Sequence, residues 1–349
     1  MACPIEMPPG AVAQVSIIDT SLRLSNLPVA VLMQPPLPGF DTFPPLPSWC
    51  FMIESPCGQA VLYDLSAPSD LTTFSPARVA DLANLSWTIT SKSDMASMLR
   101  SRGIPPSSID AIIWSHNHFD HIGDLSTFPS TTKLIVGPGF KASYFPGYPA
   151  NPESFIKESD YRDRHVVEVA LNEADLKIGP FQAHDLFANG SFYLLVTPGH
   201  APAHLAGLAR TSFPENGKDT FVLMAGDIVH HASELRPSPG VPLPAEWAHL
   251  TQLNTSRGRK ADEPFFEPSV GWDIPLAKET IRGLQAFDAR EDVLVVAAHD
   301  ASLASVVGMD GFSRGDGGWW ALGRWRENGW KEKERWKFLD DFQGSQAKR

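Results

Sequence analysis

The chain of 349 residues carries 40 Asp and Glu against 29 Lys and Arg, a net charge of −11, the wrong sign for a partner whose phosphates demand a basic footprint. Its 43% hydrophobic and 20% charged residues are ordinary for a soluble globular enzyme, and the length allows one large domain or two smaller ones. No stretch approaches the ~20 apolar residues of a membrane span. The start, Met1-Ala2-Cys3-Pro4-Ile5-Glu6, lacks a basic region followed by an apolar one, so a cytoplasmic location is expected.

Residues 11–33 cluster β-formers (Val15, Ile17 and Ile18, then Val29, Val31 and Leu32), which predicts two opening strands. Prolines between 34 and 47 prevent a regular element. Within that stretch Phe40, Phe43 and Leu46 are candidates for an apolar substrate wall, or for a stiff connector packed on the surface. Strands follow at 49–54 and 59–64, joined by the turn Ser55-Pro56-Cys57-Gly58. Cys50 and Cys57 could pair across this hairpin, but with Cys3 they form a sparse, odd set that favours reduced thiols. A helix is predicted over 93–102, capped by Ser91 or Ser93 and ended by Gly103 and Pro105.

The run Ile109-Asp110-Ala111-Ile112-Ile113-Trp114 reads as a buried strand, and Ile122-Gly123-Asp124-Leu125 as the turn into a helix. Between them stands His116-Asn117-His118-Phe119-Asp120-His121, three histidines and an aspartate in a chain with 11 His. Imidazole and carboxylate suit zinc, iron or manganese. In an extended loop His116 and His118 project to the same side, and a tighter turn would send Asp120 and His121 to a second point nearby. Further strands are predicted at 133–136, 165–170, 191–197, 204–210 and 220–226, the last three bracketing His200 and Asp227. A helix near 275–289 sets Leu276, Ile281, Leu284 and Phe287 on one face, and the strand after it delivers His299 at its carboxyl end. Trp319, Trp320, Trp325, Trp330 and Trp336 crowd the tail, half of the 10 tryptophans. The tail is expected to close over the domain and bury these rings, or to form a dimer contact.

His-x-His-x-Asp-His over 116–121 resembles the signature of the metallo-β-lactamase superfamily. Four more landmarks occur in the family's order: Asp64 after Ala60-Val61-Leu62-Tyr63, His200 in Thr197-Pro198-Gly199-His200, Asp227 after Ala225-Gly226, and His299 in Ala297-Ala298-His299-Asp300. The resemblance implies an α/β fold, the four-layer αβ/βα sandwich of two mixed sheets flanked by helices. It implies one domain over 1–349, with a core at about 11–310 and the Trp-rich segment 311–349 packed on it as an extension.

The resemblance also implies two divalent metal ions, zinc first, with manganese or iron as alternatives. His116, His118 and His200 would hold one, Asp120, His121 and His299 the other, and Asp227 would bridge them. This ligand set, without cysteine, is similar to the dinuclear branch containing acyl-homoserine lactonases and related fungal and bacterial lactamases. Asp64, and with less support Asp300, would fix imidazole tautomers. His204 matches a structural histidine of the family's Gly-His-Thr-x-Gly-His stretch, in which Ala201 and Ala203 replace the usual threonine and glycine. Lactonases typically carry a tyrosine three residues after the bridging aspartate. That position is His230 here, either a substrate contact acting as hydrogen-bond donor or general acid, or a helix-start residue.

The implied function is a hydrolase opening a lactone or lactam. A hydroxide shared by the ions would attack the carbonyl, with Asp120 orienting the water or taking its proton. The alternatives are a thioesterase of the glyoxalase II type and, further off, an iron-dependent redox enzyme. The first expects a basic patch, yet Lys and Arg cluster only at Arg257-Gly258-Arg259-Lys260 and in the tail. The second usually places Glu where His118 stands. The expected partner is a small molecule, without nucleic acid or membrane, and a homodimer is the one protein contact the tail suggests.

Overall fold

Each residue of the strand Thr220–Gly226 is buried. Side chains alternate along a strand, so apolar residues on both faces mean that layers pack on both sides of it. In the computed structural model, which describes residues 5–170, 176–212, 219–309 and 311–344, this is the arrangement. A seven-stranded and a six-stranded sheet lie face to face. Val15, Ile17, Phe51 and Ile113 of the first meet Phe192, Leu194, Val222 and Met224 of the second. The outer face of the first sheet (Met52, Leu62, Ile112) packs with Met95, Ala96 and Leu99 of the helix Met95–Ser101. The outer face of the second (Phe221, Leu223, Val295) packs with Ile281, Leu284 and Phe287 of the helix Ile274–Asp288. Helix, sheet, sheet, helix is the expected αβ/βα sandwich.

Both sheets are mixed. In the first, Ala60–Tyr63, Ala111–Ile113, Lys133–Val136 and Val166–Glu168 run parallel, while Gln14–Asp19 and Cys50–Glu54 pair antiparallel. In the second, Thr220–Gly226 and Val293–Ala297 are the parallel pair. Parallel neighbours bring their carboxyl ends to one edge, and Asp64, His116, Asp227 and His299 all follow such ends. Two bonds join the sheets close to that edge: Tyr63 Oη donates to Leu205 O at 2.7 Å, and Leu205 N donates to Ser115 O at 2.9 Å.

Several local expectations are corrected. Val29–Leu32 forms one helical turn instead of a strand. Pro28 holds φ at −67° immediately before it, and context overrides the β-propensity of the valines. The helix predicted at 93–102 spans Met95–Ser101, and its cap is Asp94, whose carboxylate accepts from Ser97 N at 2.8 Å. A short 3-10 helix, Leu125–Thr127, follows the Gly123 turn with Asp124 as its cap, and a helical turn that was not expected, Phe119–Ile122, precedes it and stops at Gly123, which takes φ +56°. The helix Pro76–Ala83 went unread although Ser75-Pro76 is a cap followed by proline at the first helical position. Cys50 and Cys57 are unbridged, and Cys3 lies outside the described residues. Among these residues no helix is long and apolar enough to cross a membrane.

The tail is woven in, not laid over the domain. Gly318–Ala321 pairs with Gln14–Asp19 as the edge of the first sheet. Trp325 is fully buried, while Trp319, Trp320, Trp330 and Trp336 are half-buried. Buried Arg236 bonds Asp288 through Nε and Nη2 at 2.8 and 2.7 Å, and Glu334 of the tail through Nη1 at 3.1 Å. Removing one member strands buried charge. Arg236→Ala is therefore expected to lower the unfolding free energy by about 3–5 kcal/mol, read by urea denaturation. A loss within measurement error would show that this network does not hold the tail.

Candidate metal centre

The site is built from orienting bonds outward. Asp64 adopts φ +60°, a left-handed conformation uncommon outside glycine, and its carboxylate is fully buried. It accepts from Ser115 N and Ser115 Oγ, both at 2.7 Å, and faces His121 Nδ1 at 2.8 Å. A carboxylate there keeps the proton on Nδ1 and turns His121 Nε2 toward the centre. Because Ser115 Oγ donates to Asp64, its contact with His116 Nδ1 at 3.0 Å is one in which the ring donates, again freeing Nε2. His299 Nδ1 donates to Pro47 O at 2.6 Å, and Ser48 Oγ donates to Asp120 O at 2.6 Å. The proline-rich segment thus serves the site through its backbone.

Two groups result: His116, His118, His200 and Asp227, and then Asp120, His121 and His299, each with donor atoms within 4.8 Å of one another. Asp227 lies between them. Its Oδ2 is 3.7 Å from His116 Nε2 and 3.5 Å from His200 Nε2, and its Oδ1 is 3.2 Å from His121 Nε2 and 3.3 Å from His299 Nε2. Asp120 Oδ2 is 3.4 Å from His299 Nε2. All seven residues singled out from the sequence converge here.

The donor set fits two cations. His116 Nε2, His121 Nε2 and Asp227 Oδ1 are buried without hydrogen-bond partners, an uncommon condition for buried polar atoms. Burial holds His116 and His200 well below the usual imidazole range and His118 down to about 4, the neutral form that ligates. Burial also pushes down on His121 and His299, but Asp227 and Asp120 outweigh it, raising the first well above its usual value and the second to about 9. Asp227 falls well below the carboxylate range, since His121 and His299 overcome its burial. Protons on those two rings stand where cationic charge is wanted.

His204 is structural, as expected. Its Nε2 accepts from Asp227 N at 3.1 Å, its Nδ1 bonds Thr197 Oγ1 at 2.8 Å, and burial pushes it down to about 3. Gly226 takes φ +53°, and a Cβ there would lie 2.8 Å from that ring. Ala203, at the family's glycine position, holds φ +61°.

Two expectations are corrected. Asp300 does not touch the histidines: it accepts from Ser302 N at 3.0 Å and starts the helix Ser302–Val307. Phe40 and Phe43 do not wall the site, since each is 3% exposed and they pack on one another and on His231. The wall is instead a cavity of about 280 Å³ lined by Leu24, Leu27, Leu32, Leu82, Trp87 and Val270, with Arg78 and the site residues at its floor. Aromatic rings in a proline-rich stretch carry no sign of which side they face, so this substitution was unreadable.

His230 lines the cavity with both ring nitrogens unpartnered. Its Nε2 is 3.9 Å from Asp227 Oδ2 and its Nδ1 is 3.4 Å from Glu234 Oε2, which also accepts from His230 N at 2.6 Å. His231 turns away to Ser233 Oγ at 2.6 Å and Asp341 Oδ2 at 3.1 Å. Ser115, Glu234 and the Pro47 carbonyl were missed. Only Ser115, adjacent to His116, had a position that could have drawn notice.

An αβ/βα sandwich with two His/Asp groups sharing one carboxylate at the strand ends defines a metallo-hydrolase with a centre fitted to two ions. The model of the Metallo-beta-lactamase superfamily matches residues 43–264, and the chain belongs to that superfamily; it is an enzyme. It is 37% identical to "Gamma-lactamase FDB1" of Fusarium pseudograminearum over 97% of this chain and 86% of the relative. It is 40% identical to "Metallo-hydrolase mfmC" of Annulohypoxylon moriforme over 94% and 87%. In fold it resembles a B. thuringiensis AiiA mutant with N-decanoyl-L-homoserine bound at the active site, with TM-score 0.55 and 20% identity, covering 83% of this chain and 94% of that one.

Asp64→Asn keeps the shape but removes the charge facing His121. It is expected to weaken metal binding by about 10–100-fold, measured by competition with a chromogenic chelator. Unchanged affinity would show that Asp64 serves the backbone alone.

Proposed function

We propose that the enzyme opens a small cyclic amide or ester, with a γ-lactam as the leading substrate class and a lactone as the second. The observation that carries this is the meeting of the His/Asp groups with a small, mostly apolar cavity of about 280 Å³, which suits a compact ring. The gamma-lactamase name of a relative 37% identical over nearly the whole chain favours the amide.

In this reading His116, His118 and His200 hold one ion, Asp120, His121 and His299 the other, and Asp227 both. When bound, two divalent ions, zinc first, supply Lewis acidity that polarises a carbonyl and acidifies water toward neutrality. Asp120, only 4% exposed, orients the attacking water and accepts its proton. His230 donates from Nε2 to the atom that departs. Glu234, 3.4 Å from Nδ1, balances the doubly protonated ring this requires. Hydroxyl adds to the carbonyl carbon, the ring C–N or C–O bond breaks, and the proton ends on the released nitrogen or oxygen.

The thioesterase alternative gains no support from the cavity. Of the basic cluster in the sequence, Arg259 and Lys260 line a different pocket, and Arg257 is spent on the carbonyls of Leu253, Pro35 and Phe265.

Assayed against lactams, lactones and glutathione thioesters, the wild type is expected to open rings and spare thioesters. His116→Ala and Asp120→Ala are expected to abolish turnover, and wild-type rates in either would sink the mechanism. His230→Phe is expected to slow ring opening by about 10²–10⁴-fold with metal content unchanged. An unaltered rate would return His230 to structure.

A further inference from the structure

Arg78 is a buried cation that the ring-opening chemistry does not use. It sits on the helix Pro76–Ala83, its side chain is 6% exposed, and it lines the cavity beside His118, Asp120, His230 and His299. A guanidinium offers five N–H donors in a rigid fork. Here Nη1 donates to Asp81 Oδ2 at 3.1 Å and Nη2 reaches Asn117 O at 3.4 Å, a long contact. Nε is buried and has no partner. The Phe155 ring covers the guanidinium, its centroid 3.8 Å from Cζ. Asp81, the one carboxylate bonded to Arg78, is 46% exposed, which weakens it as a counter-charge.

Burying a guanidinium with donors unspent is costly, and burial accordingly pushes the Arg78 pKa down. Were its task to hold the histidine loop through Asn117 O, one well-aligned bond and a lysine would serve. Arg78 nonetheless lines the space a substrate enters, and Nη1 and Nη2, with one bond each, keep a second N–H apiece, among apolar side chains and beside Asp81 and the His/Asp groups. An apolar wall positions a ring only by shape, whereas a planar fork fixes orientation and chemical identity.

We propose that Arg78 is the specificity-determining residue of this site: its unspent N–H groups bind an oxygen acceptor, a carboxylate or phenolate in first place, carried by the substrate away from the bond that is broken. The inference rests on the ring-opening reading, because it takes the same cavity as the substrate site. Ordinary heterocycles lacking such an oxygen would enter and be opened, but would bind loosely.

The test is calorimetric titration of the zinc-loaded protein with γ-butyrolactam and with its carboxylate derivative, pyroglutamate. Wild type is expected to bind pyroglutamate about 10–100-fold more tightly. Arg78→Met should abolish that preference and leave γ-butyrolactam affinity and zinc stoichiometry unchanged, and Arg78→Lys should restore part of it. Equal affinities in wild type, no measurable binding of pyroglutamate, or loss of zinc from Arg78→Met would overturn the proposal. Where the rings are opened during the titration, the preference is read as the ratio of KM values, and rings that bind with the expected preference but stay closed would defeat the hydrolase reading while supporting this role for Arg78.

Discussion

Four imidazole nitrogens lie within 3.7 Å of one buried carboxylate, that of Asp227. The rings come from three separate parts of the chain, and nothing local brings them together. Such a cluster is electrostatically and sterically unfavourable unless a rigid frame imposes it. The frame is the pair of sheets. Parallel neighbours in each deliver their carboxyl ends to a common edge, and the inter-sheet layer around Val222, Met224, Phe192 and Ile113 fixes how far apart those ends stand. The fold is thus a device for holding nitrogen and oxygen atoms that would otherwise be satisfied by water.

Within that frame the orienting bonds divide the work. Asp64, Ser115 and the Pro47 carbonyl each occupy a donor nitrogen facing away from the centre, so it is the other ring nitrogen of each histidine that faces inward. His204 does the same for the backbone, accepting from Asp227 N and so setting the bridging carboxylate. The left-handed backbone at Asp64 has the same origin. The carboxylate must reach Ser115 and His121 at once, and bonds from both offset the conformational cost.

Much of this was legible in the sequence, for identifiable reasons. The His116–His121 run, Asp64, His200, Asp227 and His299 are short motifs at strand ends, where spacing and order survive without knowledge of packing. The long helix and most strands were readable because apolar period and turn residues agree over many positions. What escaped was whatever depends on a non-local partner. Phe40 and Phe43 are apolar in a proline frame, and only the positions of His231, Phe266 and Phe342 decide that they face the core. Pro47 enters the site through a carbonyl, which no side-chain pattern encodes. Gly318–Ala321 is a strand because Gln14–Asp19 has a free edge, not because glycine and tryptophan announce one.

The tail, read at first as cover, is mechanically tied to the site. The segment from Asp227 to Arg236 is short, and its residues face in different directions. His230 turns to the cavity and is held by Glu234. His231 turns to Asp341, and Arg236 to Glu334. Both acidic partners belong to the last part of the chain. The same backbone that turns His230 into the cavity is therefore clamped at two points by the C-terminal segment, and a rigid loop holds a side chain in one place. A domain of this family could hold its ions with strand tips alone. In this chain the loop from Asp227 to Arg236 is held by the tail as well, through Asp341 and Glu334.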